Sequence, residues 1–510
     1  MRFDFHHHRF TDTSHSAGKL ALAGSDRDLR WQDLEAETVH LSRLFTSLAI
    51  PEGEPVIIYG HKEAFFAVAM LACYHSGTTY TPIDKIYPVE RVRKIIDLTG
   101  AQVIVNCTGL PLPDGISCAV EIDPHAKAVQ HGPRQERTTR PGFEGDILQY
   151  IMFTSGSTGE PKGVQILRSS VLCFVDWATR DFGFTPDDVF LNQAPFTFDV
   201  SLCDLLNAFA LGGTLVLSAA EITKDQDQFL QRVTDYRCTV WTSTPSFAYI
   251  YLRHPAFNGQ KMPSLHTFLF MGEELPSRTC SLLHRQFPGA RVMNAYGPTE
   301  ATIVTTLVEI SPEMAAQQAS VPIGYPMPAS TLLIDTGGED REDGELIIAG
   351  PHVSPGYYNR PDLNEKKFFV REDGQRAFRT GDLAYYKNGM IYFLGRNDDQ
   401  IKLHGFRIEL DEISQVLCDH SGIEDAVTVP LKRNKEVKKI ISFVKSASHT
   451  RGCDIREALL PVISRRLPYY MIPAEIIVVE EFPYNVSHKI DRNKLVEQYL
   501  AGEFGKNVSS

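Results

Sequence analysis

The ten-residue stretch Thr154-Ser-Gly-Ser-Thr-Gly-Glu-Pro-Lys-Gly163 combines four hydroxyl side chains, three glycines and one lysine. Hydroxyls, backbone amides and an ammonium group all donate hydrogen bonds to phosphate oxygens, and glycine lets the backbone approach closely. It is not a Walker A loop, because Pro161 and not glycine precedes Lys162. A Ser/Gly-rich stretch alone is also typical of a flexible surface loop. The fixed Pro-Lys-Gly end favours a phosphate-binding loop of a different type.

The loop follows Leu148–Phe153, an apolar segment typical of a buried strand. Upstream, strand patterns at 55–59 and 101–106 alternate with helical patterns at 34–48, 64–75 and 89–98. This alternation predicts an α/β fold with largely parallel sheets, which would place the loop at a strand end. Residues 108–144 are rich in proline, glycine and charge, and predict a surface excursion.

The pattern changes twice further along the chain. It becomes strand-rich from about 320 to 395, and a new helix–strand unit follows. We predict an N-terminal domain at 1–397, with two α/β subdomains and a strand-rich, β-barrel-like subdomain, and a small mobile α+β domain at 398–510. The charge distribution supports this boundary, because 16 basic and 17 acidic residues nearly cancel from Asp398 onward, while the whole chain carries −12.

The composition excludes several classes of protein. With 510 residues and 43% hydrophobic content the chain can bury a large core. A net charge of −12 argues against nucleic-acid binding. No apolar run reaches the roughly 18 residues of a spanning helix, so we expect no membrane insertion. The N-terminus lacks the order of a signal peptide, and the nine cysteines form no CxxC pair, so we expect a cytoplasmic protein with reduced thiols.

The loop at 154–163 resembles the signature of the adenylate-forming (ANL) superfamily, which includes acyl-CoA synthetases, luciferases and peptide-synthetase adenylation domains. Six more segments resemble motifs of that superfamily and follow its order: Gly77–Asp84, Asn294–Glu300, Phe378–Asp382, Gly395–Lys402, Leu467–Pro473 and Lys489–Arg492. Three others are similar to the amino-acid adenylation enzymes that load D-alanine onto a carrier protein: Phe190–Asp199, Val240–Ser246 and Gln400–Gly405.

This resemblance implies that ATP and Mg²⁺ are used to convert an amino acid to its adenylate. Lys162 and the loop hydroxyls would hold the β- and γ-phosphates, and Tyr296 would stack on adenine. Asp382 and Arg396 would hold the ribose, and Glu300 would bind Mg²⁺. The full implied nucleotide set is Thr154, Ser155, Gly156, Ser157, Thr158, Gly159, Lys162, Glu273, Asn294, Ala295, Tyr296, Gly297, Thr299, Asp382, Arg396 and Lys489.

By the same resemblance, Lys489 and Thr299 are the catalytic residues, acting at the charge that develops between the carboxylate and the α-phosphate. Asp398 occupies the family's hinge position, although it is also suited to capping a turn. His488 stands where the family usually has glycine before the lysine. Glycine eases a tight turn, so we expect this loop to differ in conformation from the family's.

Asp199 indicates the class of substrate, because a carboxylate there would pair with an α-ammonium group. A fatty or aryl acid has no such group, and an unpaired buried carboxylate is costly. Asp199 could also cap a helix. The remaining side-chain positions implied by the family are Val200, Cys203, Thr242, Leu269, Met271, Ala295, Ile303 and Val304. Met271 is bulky and favours a small substrate, but D-alanine enzymes carry cysteine there, so the handedness stays open.

The best expectation is activation of a small amino acid, D-alanine first, and transfer to the phosphopantetheine thiol of a separate acyl or peptidyl carrier protein. The alternatives are an enzyme for L-alanine, glycine, serine or proline, and an acyl-CoA synthetase, which Asp199 disfavours. An inactive binding module would be expected to lack Lys162, Glu300, Asp382 or Lys489, and all four are present. The basic stretch at 432–439 is suited to carrier docking or to a solvated loop.

Overall fold

The computed structural model describes residues 1–11, 17–133, 143, 145–156, 160–317, 320–403, 405–433, 436–446, 452–483 and 490–504. Within these ranges the predicted α/β fold is confirmed. The helices are Trp31–Ser47, Ala64–Ser76, Val89–Thr99, Arg168–Asp181, Val200–Leu211, Ala220–Thr223, Gln226–Asp235, Pro245–Tyr251, Ser277–Gln286, Pro312–Gln317, Pro361–Lys367, Leu410–Cys418, Gly452–Arg466 and Arg492–Ala501, with short 3₁₀ turns at Thr299–Ala301 and Tyr469–Met471.

The first large sheet carries the predicted phosphate loop. Its strands, in spatial order, are Lys162–Leu167, Leu148–Thr154, Tyr80–Asp84, Val56–Gly60, Val103–Asn106, Val120–Ile122 and Ala128–Gln130. The four central strands run parallel, and Lys162–Leu167 returns antiparallel beside Leu148–Thr154. The predicted surface excursion is therefore wrong in part, because 108–144 contributes two short strands to the edge of this sheet.

The second sheet has parallel central strands and antiparallel edges. Its order is Tyr325–Pro326, Thr306–Glu309, Arg291–Tyr296, Thr267–Phe270, Val240–Ser243, Val189–Asn192, Thr214–Leu217, Leu20–Ala23 and Asp28–Arg30. A short hairpin, Arg2–Asp4 with Arg9–Thr11, precedes both sheets in the chain.

Two apolar helices lie in the core that both sheets share. Ala64–Ser76 is buried over almost its whole length, and so is Val200–Leu211. A helix that is apolar all round belongs in an interior rather than on a surface. The largest apolar cluster accordingly joins both helices to residues of both sheets, including Tyr150 of the first and Phe190 of the second.

The strand-rich region is an antiparallel sheet of Thr331–Asp335, Asp343–Ala349, Arg376–Lys387, Phe368–Val370 and Met390–Arg396. The expectation of a barrel-like subdomain is wrong for the described residues. Thr331–Asp335 pairs only with Asp343–Ala349, so the sheet keeps an open edge and does not close on itself.

The C-terminal part begins with a hairpin, Gln400–Leu403 and Phe406–Glu409, which we call the cleft hairpin. A three-stranded sheet follows, formed by Ile423–Arg433, Glu436–Ser446 and Glu475–Val479. Neighbouring residues on these strands face opposite sides, as the period of a strand requires. One side packs with the cleft hairpin, while the other packs with the last helix and Ile490.

Candidate active site

The candidate site lies where the strands of both sheets end, as expected for ligand sites in α/β folds. Strand Leu148–Thr154 leads into Ser155 and Gly156, and strand Arg291–Tyr296 leads into the turn at 297–300. Strand Val189–Asn192 leads into a loop at 193–199 that enters helix Val200–Leu211. Sheet topology thus brings together segments that lie far apart in the sequence.

These segments enclose a cavity of about 80 Å³. Residues of the cleft hairpin form part of its wall. Predicted site residues that line the cavity are Thr154, Ser155, Asp199, Val200, Met271, Tyr296, Gly297, Thr299, Ile303, Asp382 and Arg396, and further lining residues include Phe198, Lys402, Gly405, Arg407 and Tyr470. The space between the sheets and the cleft hairpin is therefore small.

Asp199 presents its carboxylate at the cavity. It stands at the N-cap position of helix Val200–Leu211, but its side chain makes no capping hydrogen bond. Its Oδ2 atom is buried and has no partner among the described residues. Burial raises the pKa of Asp199 to about 6, although a hydrogen bond from Thr299 partly opposes this. The carboxylate is therefore positioned to accept a cationic donor from the cavity.

Asp382 forms a second polar cluster with Tyr296 and Arg396. Tyr296 donates its hydroxyl to Asp382 Oδ2 at 2.5 Å, and Arg396 Nη1 donates to Oδ1 at 2.5 Å. Arg396 also pairs through Nε and Nη2 with both oxygens of Asp398, each at 2.7 Å. The predicted ribose residues and the predicted hinge residue thus form one continuous network.

Glu300 is the charge centre of the site and is completely buried. Its Oε1 accepts from the Tyr357 hydroxyl at 2.7 Å, and its Oε2 pairs with Arg407 Nη1 at 2.7 Å. Burial alone would raise the pKa of Glu300, but the charges of Arg407 and Lys162 outweigh it and lower the pKa to about 2. The carboxylate is therefore ionised at any pH the enzyme meets.

The predicted phosphate loop is engaged by the C-terminal part of the chain. Lys162 Nζ donates to Glu409 Oε1 at 2.9 Å, and Gly156 N donates to Glu412 Oε2 at 3.1 Å. Ser155 Oγ donates to the Arg407 carbonyl at 2.9 Å. The carboxylates of Glu409 and Glu412 thus accept hydrogen bonds from Gly156 and Lys162, which the sequence predicts to bind phosphate.

No role was predicted from the sequence for Lys402, Arg407, Glu409, Glu412 or Tyr357. They lie far from the loop in the sequence, so no local spacing could pair them with Ser155 or Glu300. The one signal was the resemblance of Gln400–Gly405 to a family motif, which marked the segment without indicating its contacts. Arg91 of helix Val89–Thr99 pairs with Glu412 at 2.8 Å, and both side chains are buried.

The remaining predicted residues fall into three groups. Cys203, Leu269, Ala295 and Val304 belong to the apolar cluster behind the cavity, where Thr242 is also buried. Glu273 accepts from Gly405 N at 2.6 Å, and Asn294 donates to the Pro322 carbonyl at 2.8 Å. Ser157, Thr158, Gly159, His488 and Lys489 lie outside the described residues.

Two further findings apply to the described part of the chain. It contains no cluster of three or more histidine, cysteine, aspartate or glutamate side chains arranged to hold a metal ion. It also contains no helix of the length and apolarity needed to cross a bilayer.

Comparison with known proteins agrees with this geometry. Residues 10–358 match the family model of the AMP-binding enzymes. The chain belongs to the AMP-binding enzyme family. It is 37% identical over 487 residues to a D-alanine--D-alanyl carrier protein ligase of Bacillus licheniformis, covering 94% of this chain and 96% of the relative. A Bacillus cereus protein of the same name is 36% identical over 492 residues, covering 95% and 97%.

Solved structures of AMP-binding enzymes share the fold. The Vibrio cholerae adenylation domain AlmE, in complex with glycyl-adenosine-5'-phosphate, superposes with a TM-score of 0.80 at 22% identity, covering 98% of both chains. The o-succinylbenzoate CoA synthetase MenE of Bacillus subtilis gives a TM-score of 0.79 at 21% identity, also covering 98% of both. At this level of identity the likeness concerns the fold.

Proposed function

We propose that this AMP-binding enzyme activates a small amino acid with ATP and transfers it to the phosphopantetheine thiol of a separate carrier protein, with D-alanine the first candidate. The observation that carries the proposal is the carboxylate of Asp199 at the cavity wall, whose buried Oδ2 atom has no described partner. A substrate α-ammonium supplies the missing donor and charge.

The other two polar clusters, at Asp382 and at Lys162, are suited to bind ATP. The carboxylate of Asp382 accepts from two donors here and is suited to accept from the ribose hydroxyls instead. Lys162 and the amide of Gly156 already bind carboxylate oxygens in the described arrangement, so they are suited to phosphate oxygens. Tyr296 presents a ring for adenine to stack on.

Mg²⁺ fits Glu300, because the side chain is an ionised oxygen donor and this ion commonly binds one or two carboxylates together with phosphates and water. The ion would offset phosphate charge while the substrate carboxylate attacks the α-phosphorus. Arg407 occupies Glu300 Oε2 in this arrangement, so the guanidinium must withdraw before the carboxylate can bind a cation.

The described arrangement suits the second half-reaction, in which the thiol attacks the adenylate. The cleft hairpin lies against the phosphate loop, where triphosphate would otherwise sit. Ile490 packs on the face of the C-terminal sheet opposite the cleft hairpin, and Asp491 N donates to the Pro483 carbonyl at 2.7 Å. Bringing that other face to the site requires the unit at 398–510 to turn about Asp398, which we expect between the two half-reactions.

Substrate size follows from Met271, which lines the small cavity and is almost fully buried. A long side chain fills the end of an amino-acid pocket and leaves room for a methyl-sized substituent. D-Alanine is favoured by the relatives named D-alanine--D-alanyl carrier protein ligase. Glycine is the second candidate, since the fold neighbour AlmE is described with glycyl-adenosine-5'-phosphate.

Amino-acid-dependent exchange of pyrophosphate into ATP, measured with a panel of D- and L-amino acids and glycine, tests the first half-reaction. We expect the highest kcat/KM with D-alanine. Loading of a carrier protein with and without its phosphopantetheine then tests the second. Preference for a fatty or aryl acid over every amino acid would refute the proposal.

A further inference from the structure

Lys62 is a fully buried lysine with no part in the proposed roles. It follows strand Val56–Gly60 of the first sheet, but its side chain reaches the loop that leaves the second sheet. Nζ donates to the side-chain oxygen of Asn192 and, at 2.5 Å, to the carbonyl of Ala194. It also lies 3.8 Å from the centroid of the Phe196 ring. This single ammonium therefore links the two sheets next to the candidate site.

Such a group is expensive to bury. Desolvation lowers the pKa of Lys62 to about 7, against the opposing charges of Asp204 and Asp84. Asp204 is buried as well, and desolvation raises its pKa to about 8. Burying a charged group costs free energy, and an apolar side chain of similar volume would not carry this cost. Stability alone therefore does not account for a lysine at this position.

The contacts of Lys62 converge on the two ends of one segment. The Ala194 carbonyl lies at the start of the loop, where it accepts from Lys62 directly. Asn192, which accepts from the same ammonium, donates through Nδ2 to the Ser201 carbonyl at 2.8 Å. The segment 194–201 between these anchors contains Asp199.

Turn hydrogen bonds make the segment compact. Phe198 N donates to the Pro195 carbonyl at 2.9 Å, and Ser201 N donates to the Phe198 carbonyl at 3.0 Å. Phe196 also stacks on Phe66 of helix Ala64–Ser76, with ring centroids 4.9 Å apart. A segment fixed at both ends and folded between them has little freedom to change the position of Asp199.

Asp199 depends on this support, because no capping hydrogen bond holds its carboxylate at the helix terminus. Displacing a binding group by about 1 Å can cost two orders of magnitude in rate. We propose that Lys62 is a positioning residue for amino-acid recognition: it fixes both ends of 194–201, so that Asp199 meets the substrate ammonium. This inference rests on the proposed amino-acid site.

The test is Lys62→Met, which keeps the length of the side chain and removes the ammonium. Saturation curves for amino acid and for ATP are measured by pyrophosphate exchange, with D-alanine as the probe. We expect the amino-acid KM to rise about tenfold or more, the loss that about 1.4 kcal/mol produces. The KM for ATP should change by less than about twofold, because Lys62 contacts no residue of the proposed nucleotide set.

Lys85→Met is the matched control. Lys85 pairs with Glu63, the chain neighbour of Lys62, at 2.7 Å, but its side chain is 38% exposed. None of its described contacts involves 192–201. Both KM values of this variant should match the wild type.

Lys62→Met leaves Asp204 as an unmatched buried group, so a second variant guards against misfolding. Lys62→Met/Asp204→Asn replaces both titratable groups and still lacks the donor to Ala194. An amino-acid KM raised about tenfold in this variant supports the positioning role. A wild-type amino-acid KM, or an equal rise in both KM values, overturns it. Asp199→Asn distinguishes failure of the proposed function from failure of this inference. If its amino-acid KM is unchanged, the proposed amino-acid site is wrong. If Asp199→Asn raises that KM and Lys62→Met has no effect, only this inference is wrong.

Discussion

Glu409 is the residue through which the cleft hairpin competes most directly with phosphate. Its carboxylate accepts from Lys162 at 2.9 Å and from Gln400 Nε2 at 2.8 Å. The Lys162 side chain is 9% exposed and that of Glu409 is 12% exposed, so water screens the pair little. Glu409→Gln keeps the shape and an acceptor oxygen but removes the charge. The substitution should therefore weaken the described arrangement without altering the phosphate loop itself.

The size of the effect follows from this geometry. A hydrogen bond to a charged group contributes about 1 kcal/mol more than a neutral one. If the Lys162 ammonium were left without a counter-charge, the loss would approach about 3 kcal/mol, as for a broken buried pair. The equilibrium between the described arrangement and one open to ATP should then shift by roughly fivefold to 150-fold.

The two half-reactions should respond in opposite directions. Pyrophosphate exchange should show a lower KM for ATP, and single-turnover transfer from preformed adenylate to the carrier thiol should slow by about fivefold or more. Glu424→Gln is the control, since Glu424 pairs with Lys445 at 3.1 Å and its side chain is 48% exposed. If Glu409→Gln changes both half-reactions in the same direction, or changes neither, Glu409 does not compete with phosphate.

Substitutions at four other positions address the remaining roles. Lys489→Ala should abolish adenylate formation and spare transfer from preformed adenylate; equal loss in both single-turnover assays would contradict this. Asp199→Ala should raise the amino-acid KM, at a cost of about 3–5 kcal/mol for an ammonium left unpaired, while ATP binding by calorimetry persists. Because the pKa of Asp199 is raised to about 6, the wild-type amino-acid KM should also rise as pH falls through 6, and this pH dependence should vanish in the variant. Met271→Gly should admit larger side chains and Met271→Cys should sharpen preference for D-alanine; an unchanged ranking across the substrate panel would remove Met271 from the pocket. Asp398→Pro fixes φ and should impair one half-reaction more than the other, whereas wild-type rates in both would exclude a hinge there.

Sequence patterns predicted those features that depend only on residues close together in the chain. The alternation of strand and helix appears in the described structure, and so does the strand Leu148–Thr154 before the candidate phosphate loop. Periodicity and turn chemistry are local properties, so a single sequence displays them. The open edge of the strand-rich sheet was not predictable, because closure depends on which strands pair.

The electrostatic partners of the site could not be predicted for a related reason. Glu300 and Arg407 are separated by more than a hundred positions, and Ser155 and Glu409 by many more. Nothing in the local sequence of Arg407 distinguishes it from a surface arginine. Burial decides its role, and burial is set by how the cleft hairpin lies against both sheets.

The shared apolar layer has a consequence for how the protein unfolds. Helices Ala64–Ser76 and Val200–Leu211 have no polar face, and their burial involves residues of both large sheets. Separating the two sheets would expose this whole apolar layer to water, at a large cost in free energy. The two N-terminal sheets therefore form a single cooperative unit, although their strands form separate hydrogen-bonded sheets. A destabilising substitution in the core beside either sheet should therefore lower the melting temperature of both sheets together, and one sheet should not unfold alone.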